Sequence, residues 1–404
     1  MSWFALLGIA LCLLVVCGLY TIRRMGQALT YYGIRRGFIK SWKLFVLWLL
    51  FGAPLITFVF ILSSIVFGWG SYTKTPSPFV DWLLLIPFYI SLTIMLQVVP
   101  FLVLIDCITW MVRNRFEKKV VQRTRARSWI AVTLVFTIYT PARIYLEKDV
   151  LESRTYAVRA GDGQGNESKL LRIGFLGDLQ RDQHTDDKRS KIVVDAVNGR
   201  EPDLILVGGD WINRGDEFIS AAGVSAEGLR APLGVFSVRG DHDHFIYRDR
   251  EKSVATVTEV LASSGVKMLH NEVRVEEVEG KKIAIVFLSY NYMHRTSKDE
   301  ISALLESIKN ADYRILLTHQ FDDKIAEVAE DNVDLVLAAH THGGQVNPFF
   351  LFKHLPLARV ETPFVSGRYQ LGSTTIIVTS GVGFSLAPFR FASPATVETI
   401  DLFL

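Results

Sequence analysis

The sequence predicts an α/β domain carried behind an α-helical transmembrane region, and three observations lead there. The chain of 404 residues is 50% hydrophobic and only 21% charged, and its mean hydropathy is +0.26, too apolar for an ordinary soluble enzyme of that length. Its charge is divided. Up to Lys148 there are 16 Lys and Arg against 4 Asp and Glu, net +12; from Asp149 onward there are 28 against 37, net −9, so the total of +3 hides two opposite halves. Finally, all nine histidines lie beyond residue 180, while Cys12, Cys17 and Cys107 sit in apolar runs of the first half. Acid-base or metal chemistry therefore belongs to the second half and has no thiolate to use.

The elements can be taken in chain order. Residues 3–22 carry no charge and are long enough to cross a hydrocarbon layer of about 30 Å at about 1.5 Å per residue. They lack the basic start and small-residue cleavage site of a signal peptide and are read as a retained span. Residues 44–69 predict a second span, kinked at Gly52-Ala53-Pro54, as helices in lipid tolerate. Residues 82–112 predict a third, one long tilted or protruding helix with Pro87, Pro100 and the single acid Asp106. Residues 129–145 predict a fourth, whose Arg143 is placed to snorkel to the interface. Asp106 stands near the end of its run, a turn or two before Arg113, and an interfacial salt partner is preferred over a proton relay.

Loop charge sets the orientation. Arg23, Arg24, Arg35, Arg36, Lys40 and Lys43 follow the first run, seven further bases lie between Arg113 and Arg127, and the segment 70–81 holds only Lys74. The positive-inside rule places the two basic loops in the cytoplasm and everything after Tyr145 outside. The expectation is a multi-pass protein of the cell membrane, with residues 1–148 as anchor, 149–168 as linker and 169–404 as an extracytoplasmic domain.

In that domain short apolar runs alternate with amphipathic stretches such as 188–198, 252–263 and 298–309. The runs are 170–176, 204–207, 235–238, 283–288, 315–317, 335–339 and 375–378. They have the length and Ile, Val and Leu content of buried strands, and the alternation predicts a layered α/β domain. Five of these runs end in residues that carry chemistry: Gly177-Asp178-Leu179-Gln180, Gly208-Gly209-Asp210, Arg239-Gly240-Asp241-His242-Asp243, Thr318-His319-Gln320 and Ala339-His340-Thr341-His342. Ligands of α/β domains bind beyond the carboxyl ends of strands, so these groups can converge on one crevice. A single Asp there is usually a turn or cap residue. Five in order point to a site for Mn, Zn, Fe or Mg.

At these residues the chain resembles the calcineurin-like metallophosphoesterases, whose pattern is Asp-x-His, Gly-Asp, Gly-Asn-His-Asp/Glu, His and Gly-His-x-His. The string His340 to Gln345, the segment Thr379-Ser380-Gly381-Val382-Gly383 and Pro388-Phe389-Arg390-Phe391 resemble the membrane-anchored branch of that superfamily. The resemblance covers about residues 169–404 and implies a four-layer α/β/β/α sandwich. It implies one metal site formed by Asp178, Gln180, Asp210 and His342 and a second by Asp210, Asp241, His319 and His340, with Asp210 bridging. It further implies His242 as the group that protonates the leaving group or binds the phosphoryl oxygen, with Asp243 orienting its imidazole.

Three positions depart from the pattern. Gln180 replaces His, and its amide is a weaker donor that favours Mn or Mg over Zn. Asp241 replaces Asn; two divalent ions against three carboxylates leave about +1 instead of about +2, holding metal more tightly and attracting a phosphate dianion less. Ala339 replaces Gly. The expected cofactor is two divalent ions, Mn first, with Zn, Fe or Mg as alternatives.

The function implied is a membrane-anchored hydrolase of a phosphoester or pyrophosphate on a small molecule or lipid, by attack of metal-activated hydroxide. The lipid bilayer is the expected partner. Nucleic acid is not, because the second half is acidic and has no basic stripe. The alternatives are a sensor or scaffold that binds metal without turnover, motivated by Gln180 and Asp241, and a transporter, disfavoured by spans with one acid and no paired halves. His184 and His244 lie near the motifs, with facing a substrate the lesser reading for each, and His270, His294 and His354 are read as structural. Arg181 and Arg239 are read as surface residues before phosphate contacts. Pro348-Phe349-Phe350-Leu351-Phe352 reads as a lid or membrane-facing loop, or as a packed loop.

Overall fold

Long apolar runs become long helices, because a continuous helix alone satisfies its own backbone where no water is at hand. The computed structural model describes residues 3–67, 77–159 and 169–403, which fall into two units. The helical unit holds α1 (Trp3–Tyr31), α2 (Arg36–Phe67), α3 (Pro78–Val112, with a π-helical turn at Asp81–Leu85) and α4 (Lys118–Glu147). Arg36–Val59, Pro78–Val112 and Lys118–Glu147 are long and apolar enough, by length and composition, to cross a membrane. The run 82–112 is thus part of one continuous helix, and Pro54 and Pro100 are accommodated inside theirs.

The unit is centred on Met25, Ala28, Val98, Leu102, Trp129 and Phe136. Asp106 is partnered within it: Tyr20 donates to Asp106 Oδ2 at 2.7 Å, and Arg24 Nη2 lies 2.6 Å from the same oxygen. The salt partner therefore comes from α1. A charge in an apolar layer persists when it is paired in this way.

The chain returns to the helical unit once more, at Val346–Leu355. These residues make a short antiparallel hairpin in which Phe349 pairs with His354 and Phe350 with Lys353.

The second unit holds twelve strands: β1 (Leu151–Arg159), β2 (Lys169–Leu176), β3 (Leu204–Val207), β4 (Val235–Ser237), β5 (Val266–Met268), β6 (Glu272–Val278), β7 (Lys281–Leu288), β8 (Tyr313–Thr318), β9 (Leu335–Ala338), β10 (Gly367–Leu371), β11 (Thr374–Val378) and β12 (Ala395–Phe403). They form two sheets of six, ordered β1-β12-β2-β3-β4-β5 and β10-β11-β9-β8-β7-β6. The central strands β2 to β5 and β7, β8, β9 and β11 are parallel.

Alternate residues build alternate layers, because successive side chains of a strand point to opposite faces. Ile173, Phe175, Leu204, Leu206, Phe287, Ile315, Leu317 and Leu337 fill the space between the sheets. Val207, Val235 and Val266 pack against α5 (Asp187–Asn198), α6 (Ile219–Gly228) and α7 (Arg250–Ser263). Val286, Leu316, Val336 and Ile376 pack against α8 (Lys298–Ser307) and α9 (Asp323–Ala329). The result is the four-layer α/β/β/α sandwich. Truncating fully buried Leu206 or Leu317 to Ala would cost about 2–5 kcal/mol.

Part of the expected linker is structure. Residues 151–159 form β1, the edge strand beside β12; residues 160–168 lie outside the described residues. Polar residues alternate with half-buried ones along β1, so it has no apolar run to betray it.

Candidate metal centre

The predicted ligands leave the ends of β2, β3, β4, β8 and β9 and meet. His319 Nε2 lies 2.9 Å from Asp241 Oδ1 and 3.6 Å from Asp210 Oδ2, and His319 Nδ1 lies 3.9 Å from Asp178 Oδ1. His340 Nδ1 stands 3.1 Å from Asp241 Oδ1 and 3.1 Å from His319 Nε2. Among the described residues, three groups hold ligand atoms mutually within 4.8 Å: Asp241, His319 and His340; Asp178, Asp210 and His319; and Asp210, Asp241 and His242. His342 belongs to none of them. It is buried nearby, with Nδ1 facing Arg390 Nη2 at 3.5 Å.

The backbone is bent to make this meeting. Asp178, Gln180, Asp210, His340 and His342 all have positive φ, between 43° and 71°. Non-glycine residues adopt that region at a cost, and such strain collects at functional sites. Glycine is needed where the loops touch: a Cβ on Gly240 would lie 1.9 Å from Asp210 Oδ1, and one on Gly381 2.6 Å from Asp178 Oδ2. Backbone N–H groups also grip the carboxylates, His242 N on Asp210 Oδ1 at 2.8 Å and His340 N on Asp178 at 3.1 Å.

The ring tautomers suit a cation. His319 Nδ1 is 2.6 Å from the Gly208 carbonyl, which only accepts, so the neutral ring keeps its proton there and turns the Nε2 lone pair toward Asp241. His340 Nε2 has the Gln320 side-chain amide at 2.7 Å and Glu361 at 3.4 Å, which leaves Nδ1 facing the same oxygen. A carboxylate or carbonyl behind each imidazole is the arrangement that orients metal-ligating histidines. Gln180 adds an independent sign: its Nε2 reaches Asp210, while its buried Oε1 has no hydrogen-bond partner among the described residues. An orphaned buried amide oxygen beside three carboxylates fits a divalent ion.

The electrostatics agree. Burial pushes Asp178 up to about 6, with His319 opposing and Asp210 adding to the rise. Burial opposes ionisation of Asp241 too, but hydrogen bonds from His319 and His340 hold it well below the usual carboxylate range. Burial works against charge on both imidazoles; Asp210 and Asp241 hold His319 well above its ordinary value, and Asp241 raises His340 to about 9. Burial and the Arg390 guanidinium keep His342 well below it. Three crowded carboxylates thus demand positive charge, which protons or cations must supply.

His242 Nδ1 sits 2.6 Å from the carbonyl of Asn213, which fixes that nitrogen as a donor and leaves Nε2 for a substrate. The expected role of Asp243 is corrected. Its carboxylate accepts the backbone N–H groups of Asp210, Trp211 and Gly240, so it braces two ligand loops, and the orienting group for His242 is Asn213. Nothing in the sequence marked Asn213 or Glu361. Arg390 had no role legible in the sequence; it is buried and donates to the carbonyls of His342, Gly381 and Gly383.

Arg181 is corrected as well. It is buried, donates to the Thr185 carbonyl and pairs with Asp187. The His184 backbone N–H is held by Asp182. Arg239, His244, His270, His294 and Asn291 line one cavity of about 680 Å³. In it Arg239 Nε and His244 Nε2 are buried without hydrogen-bond partners among the described residues, and burial, helped by Arg239, pushes His244 down to about 4.

Buried oxygen and nitrogen ligands at the carboxyl ends of strands from two facing sheets suit a divalent metal ion. Residues 171–344 match the family described as Calcineurin-like phosphoesterase, so that part of the chain is similar to the metallophosphoesterases. An uncharacterized metallophosphoesterase of Helicobacter pylori is 28% identical over 58% of this chain and 60% of its own length. The uncharacterized metallophosphoesterase YkuE of Bacillus subtilis is 27% identical over 64% of this chain and 87% of its own. A Bos taurus transmembrane protein with metallophosphoesterase domain is 27% identical over 57% and 53%. The chain thus spans about 60% of the length of the Helicobacter relative. A Thermus thermophilus structure described as a hypothetical protein aligns with 55% of this chain and 89% of its own, at 19% identity and a TM-score of 0.34.

Proposed function

We propose that the chain is a membrane-anchored phosphoric ester hydrolase that uses two divalent metal ions and acts on a phosphoester or pyrophosphate, a lipid-linked one first. The observation that carries this is the convergence of Asp178, Gln180, Asp210, Asp241, His319 and His340, with the unpaired Gln180 oxygen, on one buried point. Asp178, Gln180, Asp210 and His342 would hold one ion and Asp210, Asp241, His319 and His340 the other; Mn suits this oxygen-rich set. When bound, such ions supply Lewis acidity and an activated water.

The protein's own residues do the rest. His242, fixed through Asn213, holds a proton at Nε2 for the leaving oxygen. Arg239 and His244 line the space that takes the remainder of the substrate. The spans favour a substrate already at the bilayer, and the loop charges favour an extracytoplasmic site. A sensor without turnover is not favoured, because His242 is positioned as well as the ligands.

The test is hydrolysis of an aryl phosphodiester and an aryl phosphomonoester by the full-length protein in nanodiscs, with Mn, Zn or Mg in turn. Turnover with at least one metal is expected. Metal binding without turnover under all three would overturn the reading.

A further inference from the structure

We propose that the hairpin Phe349–His354 is a re-entrant membrane element, with Phe350, Leu351 and Phe352 lying among lipid acyl chains. The hairpin is seated on the spanning helices. The Phe349 ring lies 6.4 Å from Phe101 of α3 and 6.5 Å from Phe136 of α4, centre to centre. The Phe349 N–H donates to Gln97 Oε1 at 3.3 Å, and Gln97 Nε2 donates to Thr140 Oγ1 at 2.8 Å and to the Thr93 carbonyl at 3.2 Å. Gln97 has no exposed surface. A buried amide inside a spanning helix is costly unless its groups are paired, and the hairpin supplies one of the pairings.

Depth follows from helix length. α3 runs from Pro78 to Val112, 35 residues, and a hydrocarbon core takes about 20 of them. Every window of about that length contains residue 97. Wherever α3 sits across the bilayer, the hairpin therefore meets it within the apolar layer or at its edge.

The hairpin is built for that place. Its strands pair, Phe352 N–H bonds the Phe350 carbonyl and Leu355 N–H the Pro348 carbonyl, which satisfies backbone that lipid cannot. Phe352 is 88% exposed and Phe350 45%. Leu351 takes a left-handed φ of 55°, in a two-residue turn where Asn or Gly would be less strained. Turn chemistry does not ask for Leu-Phe at that tip, whereas an apolar surrounding does. At the base His354 lies 2.9 Å from Arg143, a polar pair placed as at a headgroup boundary; Lys353, level with Phe350, has a side chain long enough to snorkel there. The hairpin comes directly after His340 to Gln345 in the chain.

The inference rests on the membrane reading and not on turnover, and its test reads no activity. Cys12, Cys17 and Cys107 are replaced by Ala, and Phe352→Cys, Phe350→Cys or, as a soluble-domain control, Lys188→Cys is labelled with an environment-sensitive fluorophore. Each labelled full-length protein is placed in nanodiscs with and without spin-labelled acyl chains. Blue-shifted emission, quenched several-fold more at 352 or 350 than at 188, is expected. Adding Gln97→Leu should release the hairpin and reduce the quenching. Two labelling sites keep the test alive if one variant fails to fold. Water-like emission at both tip positions overturns the inference. So does blue-shifted emission that spin-labelled lipid leaves unquenched, which would place a second copy of the chain on the tip.

Discussion

Single residues decide the chemistry at this site, and two of them make opposite predictions. Gln180 has a buried oxygen without a partner, so Gln180→Ala should lower bound metal by about one ion per chain, read by elemental analysis. Unchanged metal content would remove Gln180 from the ligand set. His242 and Asp243 adjoin in sequence but differ in what they touch. His242→Ala should lower kcat by about 100-fold or more with metal content intact. Asp243→Ala strips acceptors from three buried N–H groups, each costing about 1–3 kcal/mol when left unpaired, and should lower the melting temperature first. The reverse pattern would restore the catalytic role that adjacency suggested. The ligand types were legible because a metal demands Asp, His or an amide at strand ends. Their supports were not: Asn213 acts through a carbonyl, which any residue possesses, and Glu361 approaches His340 from 21 positions away.

At the scale of elements, what the sequence revealed depended on burial. β3 and β9 are buried at every position and read as apolar runs. β1 and β6 alternate exposed with half-buried residues and look like loop composition. β12 lies between β1 and β2 and is nearly all buried, yet it contains Glu398 and two threonines. Glu398 carries a consequence of its own. Burial raises its carboxyl from an ordinary value of 4.5 to about 7, against the hydrogen bond from Thr396. Below about pH 4.5 it is protonated folded or unfolded and burial exacts no charge penalty; as pH rises toward 7, the unfolded state alone gains from ionising, so stability is lost. Glu398→Gln should melt close to the native protein near pH 5 and above it at pH 8, by calorimetry. A melting difference independent of pH would show that Glu398 does not titrate in this window.

For the whole molecule, the divided charge of the sequence becomes a statement about sidedness. The bases gather on the end of α1 and the start of α2, and around the α3–α4 turn and the start of α4, while the acidic second half comes after α4. Positive loops resist translocation, so the proposed topology, with the metal centre outside the cytoplasm, makes a prediction that can be tested. The three native cysteines lie on α1 and α3 and can be replaced, which leaves a single engineered thiol as a clean reporter. Lys188→Cys, on exposed surface of α5, should react with a membrane-impermeant maleimide in intact cells. Arg115→Cys, between α3 and α4, should react only after the membrane is opened. Protection of position 188 together with labelling of position 115 would invert the topology. It would place the metal centre on the cytoplasmic face, where a lipid-linked substrate of the proposed hydrolase would have to be drawn from the inner leaflet.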